Sequence, residues 1–248
     1  LIVFSDISKL KTLEKMREDF IGNVSHELRT PISVIKANSE TLLSTKLIKD
    51  ENAINFTKAI QSQSERMATI VNELLSISSM ESGDYPISLD KLNIKNIVDS
   101  AIKELNPMTE SSNIKLVNKI SDITHIIGDE SAIKIIISNY ITNAIKHSPD
   151  DEIIEIDNEK IDKDFCRIKV IDNGIGIAKK YRERVFERFF RVDKGRSKKI
   201  GGTGLGLSIS KNLALMMGYS VGVESNEPKG SIFYIDVKIH QETSKEVA

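Results

Sequence analysis

Two runs of apolar residues at three- and four-residue spacing dominate the N-terminal part of the chain. The first passes from Ile7 through Leu10, Leu13, Met16, Phe20, Val24, Leu28, Ile32 and Ile35, with Leu42 further on. The second passes through Phe56, Ile60, Met67, Ile70, Val71, Leu74, Leu75 and Ile77. Each spacing predicts a long amphipathic helix. The short polar connection at residues 46–52 makes the pair an antiparallel hairpin. A lone hairpin cannot cover both stripes, so the pattern asks for two copies paired into a four-helix bundle. Ser82-Gly83-Asp84-Tyr85-Pro86 then ends the periodicity and marks a domain boundary.

Past that break the texture changes. Ile94, Ile97, Val98, Ala101, Ile102 and Leu105 make a helix that stops before Pro107. Another runs from an N-cap at Asp129 to His147, with Ile133, Ile137, Ile141 and Ile145 on one face. Alternating segments at residues 114–120, 153–156, 165–171, 221–224 and 232–238 read as strands, the last two joined by a polar turn containing Pro228 and Gly230. The fold class expected is therefore α+β in two domains, a helical hairpin followed by an α/β sandwich with one layer of each. The boundaries expected are 1–8 for the end of an upstream domain or linker, 9–81 for the hairpin, 82–86 for a linker, 87–241 for the sandwich and 242–248 for a tail.

A chain of 248 residues is long enough for such a pair of domains. Its net charge of −1 supplies no basic field to recruit nucleic acid. Cys166 is the only cysteine, which excludes an internal disulfide; it reads as a small buried strand residue. No apolar run reaches the length of a membrane span. Leu1-Ile2-Val3-Phe4 lacks the cationic start of a signal peptide and reads as the last strand of something upstream.

Four segments carry chemistry. The stretch FIGNVSHELRTP (residues 20–31) places a poor helix former, Gly22, one turn before His26, and Pro31 soon after it. Pro31 cannot donate to the carbonyl of Glu27, so a bend is expected just past His26. Asp172-Asn173-Gly174-Ile175-Gly176-Ile177 closes a strand with glycines that allow tight turning or close ligand approach. Asp172 can accept from an exocyclic amine such as that of adenine, though taken alone the motif is also an ordinary Asn-Gly turn. Gly201-Gly202-Thr203-Gly204-Leu205-Gly206-Leu207 leads into an apolar helix, an arrangement that suits phosphate. It is neither a Walker loop nor a dinucleotide fingerprint. Between these clusters Asn139, Asn143 and Lys146 form one stripe beside the isoleucine face. Read alone, the stripe is a hydrated polar face or a set of neutral oxygens for Mg2+ held with phosphates, with Lys146 balancing charge. The polar segment from Val192 to Lys199 reads as a lid.

SHELRTP, NYITNAIKHS, DNGIGI, FERFFR (residues 186–191) and GGTGLGLSI occur in this order over nearly the whole chain. The set resembles the H, N, G1, F and G2 boxes of the sensor histidine kinase catalytic core. That resemblance implies a dimerising phosphotransfer hairpin followed by an ATP-binding domain of the Bergerat fold. It implies His26 as phospho-acceptor, Glu27 as the carboxylate that orients and deprotonates the imidazole, and Thr30 as the phosphatase threonine. It implies Mg2+ at Asn139 and Asn143 and adenine at Asp172. Lys146, Gly174, Gly176, Arg191, Gly202, Thr203, Gly204, Leu205 and Gly206 would line the nucleotide. His147 departs from the family's commoner aromatic and Gly22 from its frequent alanine; His147, His125 and His240 are assigned to packing. The implied activity is ATP-dependent autophosphorylation in a homodimer, transfer to an aspartate of a response-regulator receiver domain, and phosphatase action on that regulator. The implied setting is the cytoplasmic part of a membrane-bound bacterial sensor. Two rivals stand beside it: a non-catalytic scaffold that binds nucleotide as a conformational ligand, and a gyrase- or mismatch-repair-type ATPase without a phospho-acceptor.

Overall fold

Helix α1 covers Ser8–Ser44 and helix α2 covers Glu51–Ser82, the two rods that the apolar spacing predicts. The computed structural model describes residues 8–44, 51–110, 112–121, 125–192 and 202–241, giving only the backbone at 8–20, 26, 43–44 and 51–52. The expected upstream end, the connection at 46–50 and the tail from 242 lie outside the described residues. The chain divides into two compact units, Leu1–Leu75 and Ser76–Ala248. The last turns of α2 therefore go with the second unit, where Glu81 pairs with Arg188. In the first unit Ile70 is fully buried, while Ile21, Ile32, Ile54, Val71 and Leu75 keep much of their surface exposed. Large apolar side chains thus stay exposed on both helices.

The second unit contains a two-stranded ribbon and a five-stranded sheet. Strand β1 (Asp90–Asn93) pairs antiparallel with β3 (His125–Gly128). Neither was expected, because four residues are too few to establish a period. The main sheet is ordered β2 (Lys115–Asn118), β4 (Ile153–Lys160), β5 (Phe165–Asp172), β7 (Ser231–Lys238), β6 (Ser220–Ser225). Only β2 and β4 run parallel. Strand β4 extends beyond its apolar part because polar Asp157 to Lys160 still find ladder partners on β5, from Lys169 to Cys166.

Helices α3 (Ile94–Leu105), α4 (Glu130–His147) and α5 (Gly206–Met216) pack over one face. Helix α3 ends as expected, with Pro107 in the following 3-10 turn. Cys166, Ile168 and Val170 of β5 and Phe233, Ile235 and Val237 of β7 point inward at period two. They meet Ile133, Ile136, Ile137, Tyr140 and Ile141 of α4, all fully buried. Burial pushes the Cys166 thiol up to about 11, so it stays protonated and inert, as a strand-core cysteine should. The other face is closed by charge pairs. Arg167 forks onto Asp236 at 2.7 and 3.0 Å, reaches Glu224 at 2.9 Å, and lies 3.6 Å from the Tyr234 ring centroid.

Asp129 ties the segment just past the linker to this core. Its Oδ1 accepts from Ala132 N at 2.9 Å and Ser131 Oγ at 2.6 Å, which caps α4 as the sequence predicts. Its Oδ2 accepts from Ser88 N at 2.9 Å, just beyond the expected linker. Burial pushes its pKa up, but the bonds from Ser131, Ser88 and Ala132 together outweigh burial and hold the carboxyl below its ordinary value. A depressed folded pKa contributes stability above the unfolded value that is lost as pH falls through the folded one. Asp129→Ala is expected to cost about 1–2 kcal/mol at neutral pH. In denaturant titrations the gap between wild type and Asp129→Asn should be constant above the ordinary carboxylate range and shrink in acid.

Candidate functional site

Strand β5 ends at Asp172, opposite Ser231 of β7. Asp172 is only 3% exposed. Its Oδ1 accepts from Gly174 N at 2.8 Å and Ser231 N at 3.1 Å. Both bonds use the same oxygen, which leaves Oδ2 for a ligand donor. Burial raises the carboxyl's pKa against the opposing pull of these two N–H groups.

The surrounding backbone comes close enough that only glycine fits. A Cβ on Gly174 would stand 2.5 Å from the carbonyl oxygen of His147. One on Gly230 would stand 1.9 Å from that of Asp172, and Gly230 has φ +123°. Asn226 donates to the carbonyl of Asp172 and to Asn173 Oδ1, each at 3.0 Å. The β6–β7 turn thus clamps the first glycine cluster. Sequence reasoning saw Gly230 as part of a strand connection and did not weigh Asn226, because only the β5–β7 register brings them to Asp172.

The second cluster is backed by the FERFFR segment. Gly204 has φ +76°, and a Cβ there would lie 2.9 Å from Phe189 Cα. Phe189 N donates to Gly204 O at 2.9 Å, and Phe189 itself holds φ +58°. Thr203 Oγ1 accepts from Leu205 N at 3.1 Å, and the Leu205 side chain is fully buried. A Cβ on Gly202 would meet nothing within 4 Å. Helix α5 then starts at Gly206 against Asn139, whose Nδ2 donates to Gly206 O at 3.0 Å. Asn143 and Lys146 follow on α4, both partly exposed. Desolvation, then the charges of Lys146 and Arg191, hold the His147 imidazole below its ordinary pKa. Lys146 and Arg191 thus make a cationic end to the site, with a neutral His147 between them in the chain. The lid expected at 192–199 lies outside the described residues beyond Val192, as does Gly201.

A buried carboxylate oxygen facing a glycine-lined approach suits a purine that carries an exocyclic amine. For a metal the donor set is neutral. Among the described residues no group of three or more His, Cys, Asp or Glu can hold an ion. The amide oxygens of Asn139 and Asn143 suit Mg2+ only where phosphates bring the negative charge.

The residues expected around the phospho-acceptor lie in the first unit. His26 is helical, but its side chain lies outside the described residues. Thr30 is exposed, and a Cβ on Gly22 would meet nothing within 4 Å. Helix α1 continues unbroken through Pro31, which is itself buried. Glu27 Oε2 is 3.0 Å from Arg66 of α2, and both side chains are 27% exposed. Sequence reasoning did not single out Arg66; a separation of 39 residues across two helices leaves no periodic signal.

Known proteins share this organisation. Residues 16–83 match the family described as the His Kinase A (phospho-acceptor) domain. Residues 128–241 match the histidine kinase-, DNA gyrase B-, and HSP90-like ATPases. The chain is 34% identical over 238 residues to the sensor-like histidine kinase SenX3 of Mycolicibacterium smegmatis, covering 96% of this chain and 61% of that protein. It is 34% identical over 249 residues to the sensor histidine kinase WalK of Bacillus subtilis, covering 98% and 40%. With the phosphate regulon sensor protein PhoR of Pseudomonas aeruginosa it shares 33% over 235 residues, covering 94% and 52%. The chain therefore spans less than two thirds of these relatives. Full-length ShkA, crystallised with AMPPNP, superposes with a TM-score of 0.67 at 25% identity, covering 91% of this chain and 47% of ShkA. Two further structures show the same fold. The histidine kinase AdeS of Acinetobacter baumannii gives a TM-score of 0.71 at 22% identity, covering 87% and 98%. The histidine kinase ThkA in complex with the response regulator TrrA gives 0.70 at 18%, covering 96% and 68%. A His Kinase A (phospho-acceptor) region and a gyrase-like ATPase domain on one chain, both within alignments to sensor kinases that cover 94–98% of it, show that this chain is a catalytic core of the sensor histidine kinase family.

Proposed function

We propose that this chain is an ATP:protein-histidine phosphotransferase. It autophosphorylates on His26, passes the phosphoryl group to an aspartate of a response-regulator receiver domain, and dephosphorylates that regulator with the help of Thr30. The observation that carries the reading is that one chain holds both His26 in a matched phospho-acceptor region and a glycine-lined site floored by Asp172. The AMPPNP bound to ShkA and the regulator bound to ThkA support the nucleotide and the partner.

In this reading Asp172 Oδ2 accepts from the adenine amine, which a guanine carbonyl would repel. Gly174, Gly176 and Gly202 to Gly206, with Thr203 and Leu205 among them, let backbone approach the nucleotide. Lys146 and Arg191 offset phosphate charge. Asn139 and Asn143 would hold Mg2+ together with the phosphates, and the ion would supply positive charge against the phosphate oxygens. The neutral imidazole of His26 attacks the γ-phosphorus in line, forming the N–P bond as the bond to the β,γ-bridging oxygen breaks and ADP leaves. Glu27 takes the imidazole proton. The working form is a homodimer whose α1 and α2 helices make a four-helix bundle, supported by the exposed apolar stripe on both helices. A sensory domain upstream, in a membrane-bound parent with this part in the cytoplasm, would feed signal through residues 10–24; the naming of relatives as sensors supports that setting.

Incubation with radiolabelled ATP and Mg2+ should place acid-labile, alkali-stable label on wild type and none on His26→Gln. Phosphate released to water without labelling would favour the ATPase reading, and neither event the scaffold reading. Asp172→Asn replaces a charged acceptor and should weaken nucleotide binding by about 10- to 100-fold in calorimetry, the size of a lost charge-assisted hydrogen bond. Gly230→Ala should weaken nucleotide binding as strongly as Asp172→Asn although no part of Gly230 need touch the nucleotide, because its Cβ displaces the Asp172 backbone.

A further inference from the structure

Asn139 and Asn143 are one turn apart and look interchangeable in the sequence, but their surroundings differ. Both hydrogens of Asn139 Nδ2 are committed across to α5, one to Gly206 O at 3.0 Å and one to Ser210 Oγ at 3.1 Å. Ser210 is fully buried, and its hydroxyl donates in turn to Gly206 O at 3.0 Å. Three groups therefore close a ring between the middle of α4 and the first turn of α5. A Cβ on Gly206 would lie 3.2 Å from Asn139 Oδ1 and 3.4 Å from its Cγ, so the amide lies close against the helix start. Only a carboxamide supplies two donors on one atom and keeps an acceptor besides. Asp at this position would retain oxygen for a metal but set a carboxylate against the Gly206 carbonyl.

Helix α5 is held locally where it begins, by the buried Leu205, whose N–H donates to Thr203 Oγ1 and whose carbonyl accepts from Ser208 Oγ at 2.7 Å, but neither of those bonds ties it to α4. Its N-cap, Leu205, makes no side-chain cap hydrogen bond, and Gly206 has no side chain to pack. The N–H of Ile209 closes onto Leu205 O at 2.9 Å, and the N–H groups ahead of that closure set the direction from which the helix end meets a phosphate.

We propose that Asn139 is a positioning residue for the phosphate end of the nucleotide: its two amide hydrogens register the first turn of α5 against α4. This role is separate from any oxygen it lends to Mg2+, and it rests on the nucleotide reading given above. Its consequence is a division of labour. Loss of Asn143 acts through the metal, whereas loss of the Asn139 donors acts on the helix even where no metal is present.

The test measures AMPPNP affinity of the full chain by calorimetry with Mg2+ and with EDTA, together with amide hydrogen exchange of residues 206–210. Asn139→Asp should lose roughly tenfold or more in affinity in EDTA, as expected for two hydrogen bonds. The ratio of its affinities with and without Mg2+ should stay near that of wild type, and exchange at 206–210 should speed up. Ser210→Ala leaves Asn139 in place and breaks the far side of the ring, so it should show a smaller loss of the same kind; it also decides the matter if Asn139→Asp does not fold. Asn143→Asp should instead change the Mg2+ dependence and leave exchange at 206–210 as in wild type. A deficit in Asn139→Asp that vanishes in EDTA, or unchanged exchange in both ring variants, overturns the positioning role. Wild type that binds no AMPPNP under either condition sinks the nucleotide reading itself.

Discussion

Two backbone N–H groups converge on one oxygen of Asp172, and most of the second unit serves to bring them there. One comes from Gly174, two residues along the same chain, and the other from Ser231, which reaches it only because β5 and β7 pair in a register that sets 172 opposite 231. A carboxylate this deeply buried is costly unless hydrogen bonds compensate it. Satisfying Oδ1 with the backbone holds the group in place while Oδ2 remains available. The same register packs Gly230 against the Asp172 carbonyl and brings Asn226 to it. Strand pairing, the burial of β7 and the geometry of the glycine turn are thus one constraint. A slip of one residue would turn Asp172 and the inner residues Ile168 and Val170 to the wrong face together.

Helix α4 is the other reference line. One side buries Ile133, Ile137, Tyr140 and Ile141 against the sheet, and Tyr140 donates to the Tyr234 carbonyl at 3.3 Å while its ring lies 5.4 Å from that of Phe233. The adjoining stripe carries Asn139, Asn143 and Lys146, so their positions follow from how tightly the isoleucine side is packed. Its start is fixed by Asp129 and its end touches the first glycine cluster, because the His147 carbonyl lies where a Cβ on Gly174 would go. A helix fixed at both ends and along one side can hold polar groups on its remaining side without relying on their own contacts.

What the sequence displayed was whatever repeats or is spelled by adjacent residues. The two rods, the cap at Asp129, the inner alternation of β5 and β7 and the two glycine clusters all have a local period or a local spelling, and each was legible. Strands β1 and β3 were not, since four residues carry no period and each is held by its partner. The continuation of β4 past its apolar part is likewise a gift of its neighbour β5. In the site, Asp172, Gly174 and Gly204 stood out, whereas Gly230, Asn226, Ser210 and Arg66 did not. Each of those four acts across a distance in sequence that only tertiary pairing closes. Phe189 belongs between the classes: the motif around it was visible, but not the positive φ that lets its N–H meet Gly204.

The segment around His26 is built from choices that each weaken or constrain a helix, and their combination is coherent. Gly22 has open space over it and gives up about 1 kcal/mol of helix stability relative to alanine. Pro31 deletes a hydrogen bond yet does not end α1, and its burial supplies apolar contact in return. Glu27 is turned toward α2 by Arg66. Successive helical residues point about 100° apart, so a Glu27 held on α2 does not share a face with residue 26. In the role proposed for it, the carboxylate must exchange a guanidinium for an imidazole before it can take a proton. In that role, the helix stability given up at Gly22 and at Pro31 would lower the cost of that exchange. In the same proposed role, the residues that make α1 a poorer rod would be the ones that let Glu27 change partners.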